Sequence, residues 1–382
     1  MFPYSRAYAI LLRVKLIVNL KLQPTKEQAF ALRSTLIVAN QACNWISQRA
    51  WETQSFRQYH LHKLSYRMAR ATFDLSAQMV VRCIAKVTDA YKLDKKRART
   101  FRKYGAISYD ERIISFKADS VSLWTAGGRC AIPFVCGEYQ RKLLPNRRGE
   151  VDLIYRKGEF YLNAVCELDE PEVHPAPDIL GVDFGVINIV TDSDGQTFSG
   201  AELERTRQKY SVRRQTLQRK ASAQRRGGKR PRSVRRLCKR LSGREANFKR
   251  HENHCISKQL VGKAQDSTRG LAIEDLTHIR KRTRFRRPQR SRMSSWSFAQ
   301  LRQFLTYKAR LAGVPLTLVD PRDTSRTCSA CGHCAKENRK SQSEFVCVSC
   351  GHSLNADFNA AINIRGRAVV NLLQVSEQRQ AA

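Results

Sequence analysis

Two short runs near the end of the chain restrict its fold more than any other feature. Cys328-Ser-Ala-Cys331-Gly332 and Cys347-Val-Ser-Cys350-Gly351 are matching knuckles, and together they read C-x2-C-x15-C-x2-C. A Cys-x2-Cys turn lets two thiolates reach one ion, and the glycine after it relieves the tight backbone. Two such turns supply four soft ligands in a closed tetrahedron, the pattern of a structural zinc site. Residues 327–351 are therefore expected to form a zinc ribbon with Cys328, Cys331, Cys347 and Cys350 as ligands. Cys334 also has ligand spacing from Cys331, and His333 and His352 lie nearby, but no glycine follows Cys334. It is read as a bystander. The other seven cysteines (Cys43, Cys83, Cys130, Cys136, Cys166, Cys238, Cys255) lack this spacing and are expected to serve as small buried apolar residues.

Three acids stand out against a strongly basic background. Asp183 lies in Ile179-Leu180-Gly181-Val182-Asp183-Phe184-Gly185, within an apolar strand. Glu274 ends Gly270-Leu271-Ala272-Ile273-Glu274, a second apolar strand. Asp357 stands where Asn355-Ala356-Asp357-Phe358-Asn359 opens a helix. Taken singly, Asp357 could be an N-cap, and the other two could be ion-pair partners of buried arginines. Taken together they are hard oxygen ligands. Converging carboxylates repel one another unless divalent cations sit between them. Two Mg2+ ions held this way would activate a water and stabilise the charge that develops in phosphodiester hydrolysis. Asp275 points to the other face if its strand continues. Asp192 and Asp194 look like turn formers. Asp320 and Asp323, flanking Pro321, are weaker candidates.

The charge balance identifies the class of partner. The chain carries 70 Lys+Arg against 33 Asp+Glu, a net +37 over 382 residues. Nucleic acid is the first polyanion to consider and an anionic membrane surface the second. From Arg205 to Arg250 there are nineteen Lys/Arg and one acid, Glu245, with a break at Gly227-Gly228. Those charges would repel one another unless phosphates sat among them. Arg280–Arg292 is a second basic run, leading to a helix over Phe298–Ala312 that Ser297 and Gln300 can cap and Gly313 ends. No apolar run reaches the ~20 residues needed to cross a bilayer. Ala7–Leu22 is interrupted by Arg13, Lys15 and Lys21. Its alternating Val14, Leu16, Val18, Leu20 and Leu22 read as a half-buried strand, not a signal peptide, and imply a cytosolic protein.

Upstream, Pro24-Thr25-Lys26-Glu27-Gln28 opens a helix with a capping box, and helical patterning runs with breaks to about Lys103. Short alternating segments follow, and Val151–Tyr155 pairs naturally with Phe160–Val165 around Lys157-Gly158. Residues 1–22 and 104–172 can thus form one β-domain with the helical block 23–103 inserted. Within the block, Trp45, Arg49, Trp51 and Tyr59 are the candidates for contact with DNA. Leu180–Val190 reads as one buried strand, followed by a turn at Asp192-Ser-Asp194-Gly195.

The order of these parts resembles the RuvC-type nuclease domain of the TnpB proteins encoded by transposons, relatives of the compact type V CRISPR effectors. The residues that carry the resemblance are Gly181-Val-Asp183-Phe-Gly185, Ile273-Glu274-Asp275-Leu276, Thr324-Ser-Arg-Thr-Cys328-Ser-Ala-Cys331-Gly332, Phe345-Val-Cys347-Val-Ser-Cys350-Gly351 and Asn355-Ala-Asp357-Phe-Asn359-Ala-Ala361-Ile-Asn363-Ile364. It covers residues 175–370. It implies a multidomain α/β protein: a β-barrel-like wedge domain with an inserted helical recognition domain, then an RNase H-like nuclease domain (173–326 and 352–382) with the zinc ribbon embedded. It further implies an RNA-guided DNA endonuclease whose partners are a guide RNA and target DNA. Asp183, Glu274 and Asp357 match the family's catalytic positions, and Cys328, Cys331, Cys347 and Cys350 its zinc ligands. Three other readings compete: an RNA-guided DNA-binding protein without cleavage, a zinc-ribbon DNA-binding regulator, and a strand-transferring transposase. The three acids argue against the first two, and their order (Asp, Glu, Asp) argues against the third.

Overall fold

The computed structural model describes residues 13–174, 176–185, 187–223, 231–277 and 298–380. The expectations placed on 1–12, Gly227-Gly228, the run Arg280–Arg292 and the cap Ser297 lie outside these described residues. The chain divides into two compact units, Met1–Asp169 and Glu170–Ala382.

In the first unit, β1 (Arg13–Leu22) buries Val14, Val18, Leu20 and Leu22 on one face, as its period-two pattern requires. Three helices follow: α1 (Lys26–Glu52), α2 (Gln58–Thr72) and α3 (Ala77–Leu93). The capping box forms: Gln28 N donates to Thr25 Oγ1 at 3.3 Å, and Thr25 N to Gln28 Oε1 at 3.0 Å. Then come β2 (Ile107–Tyr109), β3 (Ile114–Phe116), β4 (Ser120–Thr125), β5 (Gly128–Val135), the short α4 (Glu138–Leu143), β6 (Arg147–Arg156) and β7 (Glu159–Asp169). All seven strands join one antiparallel sheet in the order β2-β6-β7-β1-β5-β4-β3. Its two edge strands are consecutive in the chain, and the Tyr109 hydroxyl donates to Trp124 O at 3.0 Å. The sheet therefore curls until it is nearly closed. Lys157 and Gly158, both at positive φ, make the β6–β7 turn.

The helices lie between β1 and β2 in sequence but share one core with the sheet. Leu36, Ile46 and Ile84 pack in the same cluster as Val18, Leu123 and Leu162. Trp45 lies edge-on to Phe73 with Arg49 4.5 Å above its ring, and Trp51 packs beside Phe56. Tyr59 is exposed, with Lys63 4.7 Å from its ring.

The second unit is built on a five-stranded sheet in the order β10-β9-β8-β11-β12. Its strands are β8 (Asp178–Asp183), β9 (Asn188–Asp192), β10 (Thr197–Ser199), β11 (Arg269–Glu274) and β12 (Leu316–Val319). β8, β11 and β12 run parallel, while β9 and β10 fold back antiparallel. The single strand expected over Leu180–Val190 is two strands, because the chain reverses after Asp183; Gly185 N donates to Ile189 O at 3.3 Å across the reversal. Asp192 and Asp194 do form the following turn, Asp192 Oδ1 accepting from Asp194 N and Gln196 N.

One face of this sheet is covered by α6 (Arg232–Asp266) and α7 (Phe298–Leu311), whose Ile256, Leu260, Leu301 and Leu305 pack on Leu180, Val182, Leu271 and Ile273. The other face carries α8 (Ala356–Gln380), through Ile364 and Ala368 against Ile179, Ala272 and Val319. α5 (Ala201–Ala223) leans on α6 and buries only Ala221, leaving Arg205, Lys209, Arg213, Arg219 and Lys220 exposed. Glu245, the lone acid of the basic run, is buried and bridges Arg214 of α5 and Lys249 of α6. Among the described residues no helix is long and apolar enough to cross a membrane.

Candidate acidic centre and four-cysteine ribbon

Alternation along the strands decides where the acids face. Val182 and Ile273 are paired neighbours and point toward α6 and α7. The next residues, Asp183 and Glu274, therefore point to the opposite face, where α8 lies. They stand side by side at the carboxyl ends of adjacent parallel strands. Gly181 lets α8 come close: a Cβ there would fall 2.2 Å from Ala361 O and 2.6 Å from Arg365 N. Only a residue without a side chain fits. Arg365 also grips Asp178: Nη2 donates to both carboxylate oxygens at 2.9 Å and Nε to Oδ1 at 3.1 Å. Asp357 is consequently delivered to the same edge from the first turn of α8. It is not the helix cap. Asn355 Oδ1 fills that role, accepting from Asp357 N at 3.0 Å and Phe358 N at 3.2 Å.

Asp183 feels both of the other carboxylates. Burial pushes Asp183 well above the ordinary carboxylate range, and the negative charges of Glu274 and Asp357 push it further; Arg339 opposes the rise. Burial also raises Glu274, which is only 8% exposed, while the Thr324 hydroxyl and Arg367 pull it back. Thr324 Oγ1 donates to Glu274 Oε1 at 2.5 Å, and Asn188 Nδ2 to Asp357 Oδ2 at 3.1 Å. The Arg339 guanidinium stands 3.7 Å from Asp357 Oδ1. A protonated or repelled acid group of this kind is what a divalent cation would relieve, and carboxylate oxygens are the donors that Mg2+ prefers.

The other acids are engaged elsewhere. Asp275 continues its strand and turns away, bonding Thr277 and Arg302. Asp192 is fully buried against Lys263. Asp194 is held far below its usual range by Arg269 and Lys263. Asp323 pairs with Arg326. Asp320 lies near enough for its charge to raise Glu274.

The ribbon's two knuckles repeat one another. Gly332 N donates to Cys328 O and Cys328 N to His333 O, just as Gly351 N donates to Cys347 O and Cys347 N to His352 O. Both glycines have positive φ. The four sulfurs lie within 4.8 Å of one another, with Cys328 and Cys350 at 3.7 Å and Cys331 and Cys347 at 3.6 Å. Zinc–sulfur bonds of about 2.3 Å in a tetrahedron place sulfurs about 3.8 Å apart. The donor set fits zinc. Among the described residues this is the one group of three or more candidate ligands gathered so tightly. Cys334 is exposed and stands outside it. The hairpin β13 (Glu344–Val346) and β14 (Ser353–Asn355) runs directly into α8 and shares a small core of Cys328, Phe345, Cys347 and Ala356 with the knuckles.

Sequence reasoning assigned no role to Arg339, Asn188 or Thr324. Arg339 sits in a polar loop, Glu337-Asn-Arg-Lys-Ser-Gln, where nothing distinguishes it from any solvated cation. Thr324 opens the motif that leads into the first knuckle, but nothing in the motif says that its hydroxyl meets Glu274.

Comparison with known proteins agrees with this layout. The family described as "Probable transposase" matches residues 163–280, and the one described as "Cas12f1-like, TNB domain" matches residues 298–364. The CRISPR-associated endodeoxyribonuclease Cas12f1 of Sulfoacidibacillus thermotolerans is 33% identical over 220 residues, which are 55% of this chain and 50% of that protein. The TnpB-like protein MJ0751 of Methanocaldococcus jannaschii is 26% identical over 275 residues, 66% of this chain and 92% of that protein. A cryo-EM structure of a Cas12f1–sgRNA–target DNA complex superposes with a TM-score of 0.62 at 16% identity, covering 89% of this chain and 83% of that one, and shows a shared fold. Fold and matches together make the chain similar to proteins described as transposases and as CRISPR-associated endodeoxyribonucleases. Within that range the chain is similar both to a TnpB-like protein and to Cas12f1. The chain spans about half the length of the Cas12f1 it matches.

Proposed function

We propose that this protein is an RNA-guided DNA endonuclease that acts in the prokaryotic cytosol. It binds a guide RNA, recognises a short motif beside the target and cuts DNA at a Mg2+-dependent centre of Asp183, Glu274 and Asp357. The observation that supports this reading is the placement of Asp183 and Glu274 at the ends of adjacent parallel strands, on the face covered by α8, with Asp357 in the first turn of that helix. Mg2+ bound there supplies polarisation of a water and of the scissile phosphate. The chain's own groups do the rest. The carboxylates orient the reacting oxygens. Thr324 and Asn188 hold two of those carboxylates in place. Arg339, beside Asp357, is positioned to receive a phosphate oxygen once Asp357 is otherwise neutralised.

The strand order of the second unit, three antiparallel strands followed by two parallel ones, supports an RNase H-like (RuvC) nuclease domain over 173–326 and 352–382. The nearly closed sheet supports a wedge domain over 1–22 and 104–172, with 23–103 as the recognition helices. Zinc in the four-cysteine ribbon, 327–351, holds the segment that carries Arg339. The +37 charge and the outward cations of α5 and α6 suit the phosphates of a guide and a heteroduplex.

The test is to purify the protein with RNA transcribed from the region flanking its gene. The complex is then offered plasmids carrying a matched target and randomised flanks. Cutting that needs the RNA, Mg2+ and Asp183 is expected. Equal cutting by Asp183→Ala, or none by the wild type, would sink the reading.

A further inference from the structure

Thr324 is 2% exposed and its hydroxyl lies against a carboxylate proposed to hold metal. It belongs to neither strand nor helix and sits just before the first knuckle. Its own place is fixed from two directions. Its carbonyl accepts from Asn363 Nδ2 at 2.8 Å. Three residues on, the Thr327 carbonyl accepts from Asn359 Nδ2 at 2.8 Å and again from Asn363 at 2.7 Å. Asn359 Oδ1 in turn accepts from Ser329 N, inside the first knuckle, at 3.0 Å. Asn359 is fully buried, and it and Asn363 stand on successive turns of α8, the helix that begins beside Asp357. One pair of asparagines thus ties the ribbon's base, the partner of Glu274 and the helix bearing Asp357 into a single network.

We propose that Thr324 is a positioning residue for Glu274: held by Asn359 and Asn363, it fixes one carboxylate oxygen so that the other faces Asp183 and Asp357. The proposal rests on the reading of these acids as a divalent-cation centre. A glutamate side chain has three rotatable torsions, and ordering it costs entropy each time a cation is bound. A buried hydroxyl donor meets that cost during folding instead. Partners of this kind, behind a ligating carboxylate, typically govern metal affinity or activity by about 10- to 100-fold. Serine keeps the donor; valine keeps the shape and removes it; alanine removes it and adds no bulk.

The experiment uses Mn2+ as the probe, titrated into the full chain free of nucleic acid and read by the electron paramagnetic resonance of the unbound ion. Half-maximal Mn2+ for cleavage by the RNA complex is read alongside. Zinc content and melting temperature are measured on every variant. Thr324→Val and Thr324→Ala are expected to weaken Mn2+ binding about 10-fold or more with zinc retained, and Thr324→Ser to restore it. Wild-type affinity in Thr324→Val overturns the proposal while leaving the cation centre standing. So does a loss that tracks zinc or melting temperature in all three variants, since that would make Thr324 structural only. Mn2+ binding that is unchanged by Asp183→Ala overturns the cation centre itself, and the role of Thr324 with it.

Discussion

The ribbon and the acidic centre are both groups of potential metal ligands, yet they are built in opposite ways. Four cysteines come from one short segment, and two local turns suffice to bring them to tetrahedral spacing. Three acids come from two strands and a helix spread from residue 183 to residue 357, and nothing local brings them together. Burial raises Asp183, and the charges of its two neighbours raise it further. The lesson is that a structural metal site is a property of a sequence motif, while the acidic centre is a property of the whole domain around it. The ribbon holds its own shape, and the centre borrows its shape from packing.

Perturbations should separate the two. Asp357→Asn should lower DNA cleavage by at least about 10³-fold while leaving zinc content and melting temperature near wild type; Cys350→Ser should do the reverse first, losing zinc and stability. A single-turnover assay beside metal analysis reads both, and a zinc loss in the aspartate variant would break the distinction. Gly181→Ala comes next. Its methyl would strike Ala361 O, so α8 must shift, at a cost of about 1–3 kcal/mol in unfolding free energy and with cleavage reduced out of proportion to stability. Denaturant melts against turnover would show this, and an innocent Gly181→Ala would mean that α8 need not lie so close.

The third perturbation is electrostatic. Folding raises Asp183, so the folded state holds its proton more tightly than the unfolded chain does. The associated destabilisation is absent at acid pH, where both states are protonated, and grows as pH rises past the ordinary carboxylate range. Asp183→Asn should therefore raise the melting temperature at neutral pH in zinc-loaded protein without added Mg2+, and not at acid pH. The same benefit at every pH would remove charge as its cause. The smallest effect is expected from Cys334→Ser, which should keep one zinc per chain; loss of zinc would move Cys334 into the site.

The contrast also explains what could be read in advance. The cysteine spacing and its glycines are local, so the clustering of the four cysteines was legible in the sequence. Asp183 and Glu274 were legible as acids ending apolar strands, a placement that is hard to explain otherwise. Asp357 was ambiguous until Asn355 proved to be the cap. The break after Asp183 was hidden because Leu180–Val190 is apolar on both sides of it, and a continuous apolar run does not reveal a reversal. The helical block and the β-strands read as separate regions, since sequence cannot display that Leu36 and Leu123 share a core. Thr324 stood in a quoted motif without a role, and Arg339 stood in none, because the importance of both lies in what they touch.

Arg365 clasps Asp178 eight residues beyond Asp357, which is about 12 Å along the helix axis. α8 is in that sense a lever with its fulcrum on the sheet. The carboxylate rides on one arm, and the other continues to Gln380. Loosening the clasp would therefore be felt at Asp357, about two helical turns away.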